Sequence, residues 1–205
     1  GSISGPHDDV WLPPGAQKLD WEVELGIVIG QRAFHVSEAD APRFVAGYCL
    51  VNDVSERAYQ IERSGQWSKG KSSDNFGPIG PWMVTADEVA DPNALGMWLT
   101  VNGKTYQNGS TKTMVYGVAH LVSYLSQFMT LHPGDVIFSG TPPAQLGAVD
   151  VIAFLDADSA AIAVDQGPGS VFHAQAVVAQ QILRLAGQAA LLQVVGRGHQ
   201  YRAQS

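Results

Sequence analysis

Polar and apolar residues alternate near the beginning of the chain. Glu22 and Glu24 are interleaved with three apolar residues, and the segment continues into an apolar run that ends at Gly30. Side chains two residues apart in a β-strand point to the same face. The pattern therefore predicts a strand over 22–30 with both carboxylates side by side. Their repulsion has to be offset by a cationic side chain, a shared proton or a metal ion.

The hydrophobic pattern of the following segments predicts a mixed α/β fold rich in β-structure. A second strand is predicted at 47–53 and a short helix at 55–64. The segment 97–107 carries an Asn-Gly pair between two strand-like runs, which predicts a β-hairpin with a type I′ turn. Apolar residues at helical spacing predict a helix from about 113 to 129. A last strand is predicted at 135–139.

The composition of the chain argues against some classes of function. The length of 205 residues and a hydrophobic content of 45% suit one globular domain. A net charge of −7 with only 12 Lys and Arg argues against binding to nucleic acid phosphates. The sequence shows no long apolar span and no secretory signal, so we expect a cytoplasmic protein without a membrane partner. The single cysteine, Cys49, is expected to be a small buried hydrophobic residue.

The last part of the chain differs in composition. Residues 144–205 contain no Glu, no Lys, four Asp and three Arg, whereas average usage would give about 15 charged residues. We therefore predict a core over 1–143 and a divergent tail over 144–205, with an origin in a frame change or fusion. This tail is not expected to complete the sheet of the core.

One motif match is misleading. Gly65 to Ser72 fits the G-x-x-x-x-G-K-[ST] pattern of a phosphate-binding loop. That loop needs a strand before it and a helix after it, whereas a helix is predicted before this segment and two prolines follow soon after. The sequence therefore argues against nucleotide binding here.

Asp53 allows two interpretations. Asp53 or Ser55 can be a helix N-cap, with Arg57 and its neighbour Glu56 as an exposed ion pair, and the two upstream glutamates can be the polar face of a half-exposed strand. Alternatively Asp53 joins Glu22 and Glu24 as a third carboxylate. Three oxygen ligands without Cys or His favour Mg²⁺, Mn²⁺ or Ca²⁺ over zinc.

Two further positions can bind an acidic substrate. Lys71 follows a glycine and is either an exposed charge or a cation that binds a substrate carboxylate or a developing enolate. Thr141 lies in a Gly-Thr-Pro loop after the last predicted strand. Its hydroxyl and the free backbone amides can hold a carboxylate, or the loop is simply a turn.

Together these segments resemble the fumarylacetoacetate hydrolase family, in order and spacing, over about residues 3–143. The motifs that carry the resemblance are Asp-Trp-Glu22-Val-Glu24-Leu-Gly, Val-Asn-Asp53-Val-Ser-Glu-Arg57-Ala-Tyr-Gln60, Lys71-Ser-Ser-Asp-Asn-Phe-Gly-Pro-Ile-Gly-Pro, Val-Asn-Gly-Lys-Thr-Tyr-Gln-Asn-Gly-Ser-Thr and Pro-Gly-Asp-Val-Ile-Phe-Ser-Gly-Thr141-Pro. The subgroup resembled is that of bacterial enzymes for 2,4-diketo-3-deoxy sugar acids, often labelled ureidoglycolate lyase.

The resemblance implies a mixed sheet and β-roll like that of the family's C-terminal domain, in a homodimer. It implies a metal site made of Glu22, Glu24 and Asp53. Mg²⁺ or Mn²⁺ is the expected cofactor, and Ca²⁺ is a possible occupant in crystals.

The resemblance also implies roles around the substrate. Lys71 and Arg57 are expected to be catalytic, and Gln60, Lys71 and Thr141 are expected to bind a 2-keto or 2,4-diketo acid. The metal would withdraw electrons from the pyruvoyl group, so that water attacks the distant carbonyl and the C–C bond breaks. The expected activity is hydrolysis of acylpyruvate-type acids with release of pyruvate.

Two alternatives to this hydrolase stay open. A ureidoglycolate lyase or an oxaloacetate decarboxylase would use the same metal chemistry, and a catalytically silent relative would only bind the ligand. The family's water-activating His and Glu lie on an early lid segment with a Tyr-x-x-His-x-x-Glu pattern. This sequence is expected to begin beyond that lid, so no general base is assigned to any residue.

Overall fold

The structure, a computed structural model, describes residues 1–101 and 104–141, together with the backbone of Val171–Phe172. The strands of this part are β1 (Ile3–Ser4), β2 (Val10–Trp11), β3 (Leu19–Asp20), β4 (Val23–Ile29), β5 (Val45–Asn52), β6 (Ser55–Glu56), β7 (Gly77–Pro78), β8 (Val84–Thr85), β9 (Gly96–Val101), β10 (Lys104–Ser110), β11 (Val136–Phe138) and β12 (Val171–Phe172). Its helices are α1 (Ser68–Lys71) and α2 (Val118–Leu125). A π-helical turn spans Ala58–Glu62, and 3₁₀ turns span Ala41–Phe44, Ala86–Glu88, Pro92–Ala94 and Thr111–Thr113. The predicted β-rich, mixed α/β class is confirmed.

The central sheet has four antiparallel strands in the order β11-β4-β5-β8. The strands predicted at 22–30, 47–53 and 135–139 are confirmed as β4, β5 and β11. In the centre of the sheet, β4 pairs with β5 from Val23 to Ile29. This pairing places the start of β4 beside the end of β5, where the candidate carboxylates lie.

The predicted β-hairpin is confirmed by the antiparallel pairing of β9 with β10. Its turn, residues 102–103, lies outside the described residues, so the turn type stays a prediction. Thr105 lies opposite Thr100 and Gln107 opposite Leu99, which leaves Tyr106 as an extra residue in β10. Such a bulge changes the direction of the neighbouring side chains, and Gln107 is buried with 3% of its surface exposed.

Both helix predictions need correction. The helix predicted from 113 begins only at α2, because Thr111–Thr113 form a 3₁₀ turn capped by Ser110 and the backbone of Gly117 is extended. The helix predicted over 55–64 begins as strand β6, which pairs with β3, and becomes a π-helical turn only from Ala58.

The main core lies between the central sheet, the β9–β10 hairpin and α2. It contains alternate residues of β4, namely Leu25, Ile27 and Ile29, with Met97 of β9 and Val122 of α2 among the other members. The apolar face of β4 is thus fully buried, and its other face is left for Glu24. A smaller cluster contains Val10, Leu19, Val54 and Phe76. Cys49 is 4% exposed, as predicted, and burial raises the pKa of its thiol to about 11.

Among the described residues, no helix is both long and apolar enough to cross a membrane. The predicted division into 1–143 and 144–205 falls largely outside the described residues and stays a prediction. Within the second range, the backbone of β12 pairs antiparallel with β2.

Candidate metal centre

The structure brings the three predicted metal ligands together. The backbone N–H of Asp53 donates to the carbonyl of Glu22 (2.9 Å), and the N–H of Glu22 donates to the side-chain oxygen of Asn52 (2.9 Å). One carboxylate oxygen each from Glu22, Glu24 and Asp53 lies within 4.8 Å of the other two. Glu24 is only 3% exposed, so the half-exposed strand is the wrong interpretation. The helix N-cap interpretation of Asp53 or Ser55 is also wrong, because Ser55 lies in β6 and no helix begins at either residue.

Lys71 lies between two of these carboxylates. Its ammonium forms ion pairs with Glu22 and with Asp53, the latter at 2.6 Å. The exposed-charge interpretation of Lys71 is therefore wrong. The match to a phosphate-binding loop is therefore misleading. The lysine of the matched segment binds carboxylates, and a π-helical turn, not a strand, precedes the segment.

Close backbone packing holds α1, which carries Lys71, against the π-helical turn. A Cβ atom on Gly70 would lie 2.6 Å from the carbonyl oxygen of Glu56 and 2.6 Å from the Cβ of Gln60. Real Cβ atoms essentially never come this close to such neighbours. Glycine at position 70 thus allows the approach that places Lys71 over the carboxylates.

Arg57 is the second cation of the cluster. Its guanidinium donates to Oδ2 of Asp20 from Nε (2.9 Å) and Nη2 (2.7 Å), and Nη2 lies 2.9 Å from Glu22. Nη1 donates to the side-chain oxygen of Gln60 (2.9 Å), which is 2% exposed. The predicted exposed pair with Glu56 is wrong, because Glu56 is fully buried and accepts from the backbone amides of residues 17, 18 and 59.

Thr141 lies in the loop after β11, beside Gly140, which contacts Glu24. The N–H of Gly140, whose φ is +92°, donates to Glu24 (2.9 Å). The Thr141 hydroxyl donates to the carbonyl of Val23 (2.9 Å), and the Gln107 amide donates to that hydroxyl (2.6 Å). The loop after β11 is thus fastened to the first residues of β4.

Burial and mutual repulsion change the acidity of these groups. Burial, together with the charges of Asp53 and Glu22, outweighs the Gly140 hydrogen bond and raises the pKa of Glu24 to about 7. Burial also raises the pKa of Asp53, although Lys71 opposes it. Burial acts in the same direction on Glu22, but hydrogen bonds and charge from Lys71 and Arg57 outweigh it and lower the pKa.

The residues fit a hard divalent cation. Three carboxylates and Asp20 could contribute four negative charges, whereas Lys71 and Arg57 contribute two positive charges. A divalent ion would balance this excess. The donor set consists of carboxylate oxygens, which suit Mg²⁺, Mn²⁺ or Ca²⁺. Such an ion would also favour the charged form of Glu24, whose pKa is raised mainly by burial and further by the charges of Asp53 and Glu22.

Two residues of the site were not predicted from the sequence. Asp20 holds Arg57, and a signal existed, because Asp20, Glu22 and Glu24 follow each other at spacings of two. Gln107 holds Thr141 and lies in one of the motifs of the family resemblance, but its inward direction depends on the bulge at Tyr106, which the sequence did not predict.

Comparisons with known proteins agree with this geometry. A model of the family described as fumarylacetoacetate (FAA) hydrolase C-terminal matches residues 1–187. A protein of Burkholderia cenocepacia strain HI2424 is 63% identical over 142 residues. Its name describes it provisionally as a hydrolase. The match covers 69% of this chain and 50% of that protein, so the chain spans about half the length of the curated relatives it matches.

Solved structures show the same fold. A 2-hydroxyhepta-2,4-diene-1,7-dioate isomerase from Mycobacterium marinum is 41% identical with a TM-score of 0.67, covering 72% of this chain and 57% of that chain. A maleylpyruvate hydrolase from Sphingobium sp. SYK-6, in complex with manganese(II) and pyruvate, is 37% identical with a TM-score of 0.64, covering 72% and 53%. The chain therefore belongs to the fumarylacetoacetate hydrolase family, as its motifs predicted, and its fold is that of the family's C-terminal domain.

Proposed function

We propose that this chain carries the metal-binding and acid-binding part of a hydrolase that cleaves a C–C bond in acylpyruvate-type 2,4-diketo acids and releases pyruvate. The observation that carries the proposal is the approach of three carboxylates to within 4.8 Å, with Lys71 and Arg57 beside Glu22. Glu22, Glu24 and Asp53 would hold Mg²⁺ or Mn²⁺. The manganese and pyruvate bound to the Sphingobium maleylpyruvate hydrolase support both the metal class and the product.

The bound metal would supply a Lewis acid that stabilises negative charge on the 2-oxo acid as the C–C bond breaks. Lys71 and Arg57 would donate hydrogen bonds to the substrate carboxylate and to the oxygen that becomes negative. Gln60 would hold Arg57 through its amide oxygen, besides the substrate contact predicted for it. Thr141 would bind the carboxylate of the pyruvoyl end.

Water activation is not assigned to a residue. In the described part of the chain, no histidine forms a hydrogen bond or ion pair with the three carboxylates. Among the described residues, the histidine side chain that does pair with a carboxylate is that of His120, whose partner is Glu38. We also propose that the protein forms a homodimer, that it is cytoplasmic and that its substrate is a sugar acid.

An isomerase is a second candidate, favoured by the similarity to the Mycobacterium marinum dioate isomerase. A ureidoglycolate lyase, an oxaloacetate decarboxylase or a catalytically silent binding protein would use the same carboxylate cluster. Assays with four substrates separate these activities: an acylpyruvate, 2-hydroxyhepta-2,4-diene-1,7-dioate, oxaloacetate and ureidoglycolate. Release of pyruvate from an acylpyruvate supports the hydrolase, and turnover of only another substrate contradicts it.

Calorimetry with Mg²⁺ and oxalate tests the site itself, because planar oxalate mimics the enolate of pyruvate, with its carboxylate beside the enolate oxygen. We expect oxalate to bind only with Mg²⁺ or Mn²⁺ present, and Glu22→Ala to abolish that binding. Glu88→Ala is the matched control, since it removes the same charge from an exposed residue outside the cluster. Metal-dependent oxalate binding that survives Glu22→Ala would show that the metal assignment is wrong.

A further inference from the structure

Gln107 and Thr141 form a hydrogen-bond network in which the donor and the acceptor of each bond can be determined. The backbone N–H of Val23 is a donor, so it must face the oxygen of the Gln107 amide, at 2.9 Å. The NH₂ group of that amide then faces the Thr141 hydroxyl, at 2.6 Å. The hydroxyl oxygen must therefore accept a hydrogen bond from Gln107.

The same reasoning fixes the hydroxyl proton of Thr141. The carbonyl of Val23, at 2.9 Å, is an acceptor only, so the hydroxyl donates to it. A hydroxyl has a single proton, and this contact uses it. The Thr141 side chain therefore has no proton left for a substrate carboxylate. The one remaining donor of this residue is its backbone N–H, which makes no hydrogen bond within the described residues.

We propose that Gln107 is a positioning residue that holds the Thr141 hydroxyl on strand β4, and that the Thr141 backbone N–H receives the carboxylate of the acidic substrate. This inference rests on the proposed function and deepens it, because it changes which atom recognises the pyruvoyl end. The neighbouring N–H of Gly140 already binds Glu24 at 2.9 Å. Successive amides of one loop thus serve the metal ligand and the substrate.

The bulge in β10 explains why this role falls to Gln107. Tyr106 is the extra residue of the bulge, and its ring contacts that of Trp21 at 4.7 Å between centroids. Gln107 is thereby turned inward and is 3% exposed, with both amide atoms bonded. Burial keeps water from replacing either bond, so the amide orientation is fixed.

Thermal unfolding without ligand tests the positioning role. We expect Gln107→Met and Thr141→Val each to lower Tm by roughly 2–10 °C, because each leaves a buried polar group unpaired. The double variant should lower Tm by less than the sum of the two, whereas Thr141→Ser, which keeps the hydroxyl, should stay near the parent. Additive losses would overturn the network.

The backbone contact is tested by NMR on protein labelled with ¹⁵N-threonine, since the chain has only seven threonines. The Thr141 amide is assigned from the signal that Thr141→Ser removes. With Mg²⁺ present, oxalate should move the Thr141 amide proton downfield, as a charge-assisted hydrogen bond forms. A Thr141 amide proton that does not move while oxalate binds would overturn the inference.

Failure of the proposed function gives a different result. In that case the parent chain does not bind oxalate with Mg²⁺ or Mn²⁺ in calorimetry. The Tm values of the Gln107 and Thr141 variants need no ligand, so they still confirm or overturn the positioning role of Gln107.

Discussion

Glu24 is a buried carboxylate whose charge depends on what surrounds it. Its pKa of about 7 in the folded protein exceeds the ordinary value of 4.5. The folded state thus binds the proton more tightly than the unfolded state, and the stability that Glu24 contributes is lost as pH rises from 4.5 through 7. Metal-free protein should therefore lose this contribution at neutral pH.

Glu24→Gln tests this dependence, because glutamine stays neutral at every pH. In EDTA, we expect the stability of the variant relative to the parent to increase between pH 4.5 and 7, measured by urea unfolding at several pH values. Glu88→Gln serves as the control for an exposed glutamate. Parallel stability curves for Glu24→Gln and the parent would contradict the raised pKa.

Asp20 determines where Arg57 lies, because one of its carboxylate oxygens accepts two hydrogen bonds from the guanidinium. We expect Asp20→Asn to reduce the free energy of unfolding by about 1–3 kcal/mol, the range for a lost hydrogen bond to a charged group. Chemical denaturation measures it. Asp87→Asn, at an exposed position, is the control, and an equal effect of both variants would contradict the role of Asp20.

At the scale of elements, the contact of α1 with the π-helical turn decides where Lys71 lies. Gly70→Ala would put a Cβ 2.6 Å from the Glu56 carbonyl, so α1 must shift. We expect a loss of about 1–3 kcal/mol from overpacking and weaker metal-dependent oxalate binding. Gly96→Ala is the control, since its Cβ would meet nothing within 4 Å. Equal stability and binding in both variants would contradict this account.

The elements also show which sequence signals are reliable. Strand β4 was predicted because its apolar alternation reflects burial in the core, and the hairpin was predicted because its turn residues act locally. The start of α2 was predicted too early, because Val115 fits the apolar spacing of the helix, although it is exposed and the helix begins only at Val118. The pairing of β6 with β3 could not be predicted, since it joins residues about 36 positions apart.

For the whole molecule, the three carboxylates couple metal binding to folding. An ion that binds only the folded state stabilises it by about 2.7 kcal/mol at a hundredfold excess over Kd. For a chain of this size we expect Mg²⁺ or Mn²⁺ to raise Tm by roughly 5–10 °C, and EDTA to reverse the increase. Differential scanning fluorimetry measures it. A Tm that is equally metal-sensitive in Glu22→Ala would contradict the site.

The candidate site as a whole was predicted largely through family resemblance. The alternation of Glu22 and Glu24 indicated a shared face, but their approach to Asp53 depends on the register between β4 and β5. Lys71 and Arg57 reach the cluster through α1 and the π-helical turn, which local patterns do not specify. The hydrogen bonds of Gln107 required the bulge, so only the folded chain shows them.

The ammonium of Lys71, which bridges Glu22 and Asp53, has a consequence for ion selectivity. It already supplies one positive charge to these carboxylates, and it is tethered, so a competing ion has to displace it. Na⁺ and K⁺ bring no more charge than the ammonium and lose the entropy of free ions when they are captured. We therefore expect the site to bind divalent cations and not Na⁺ or K⁺, because Lys71 competes with any cation for the same carboxylates.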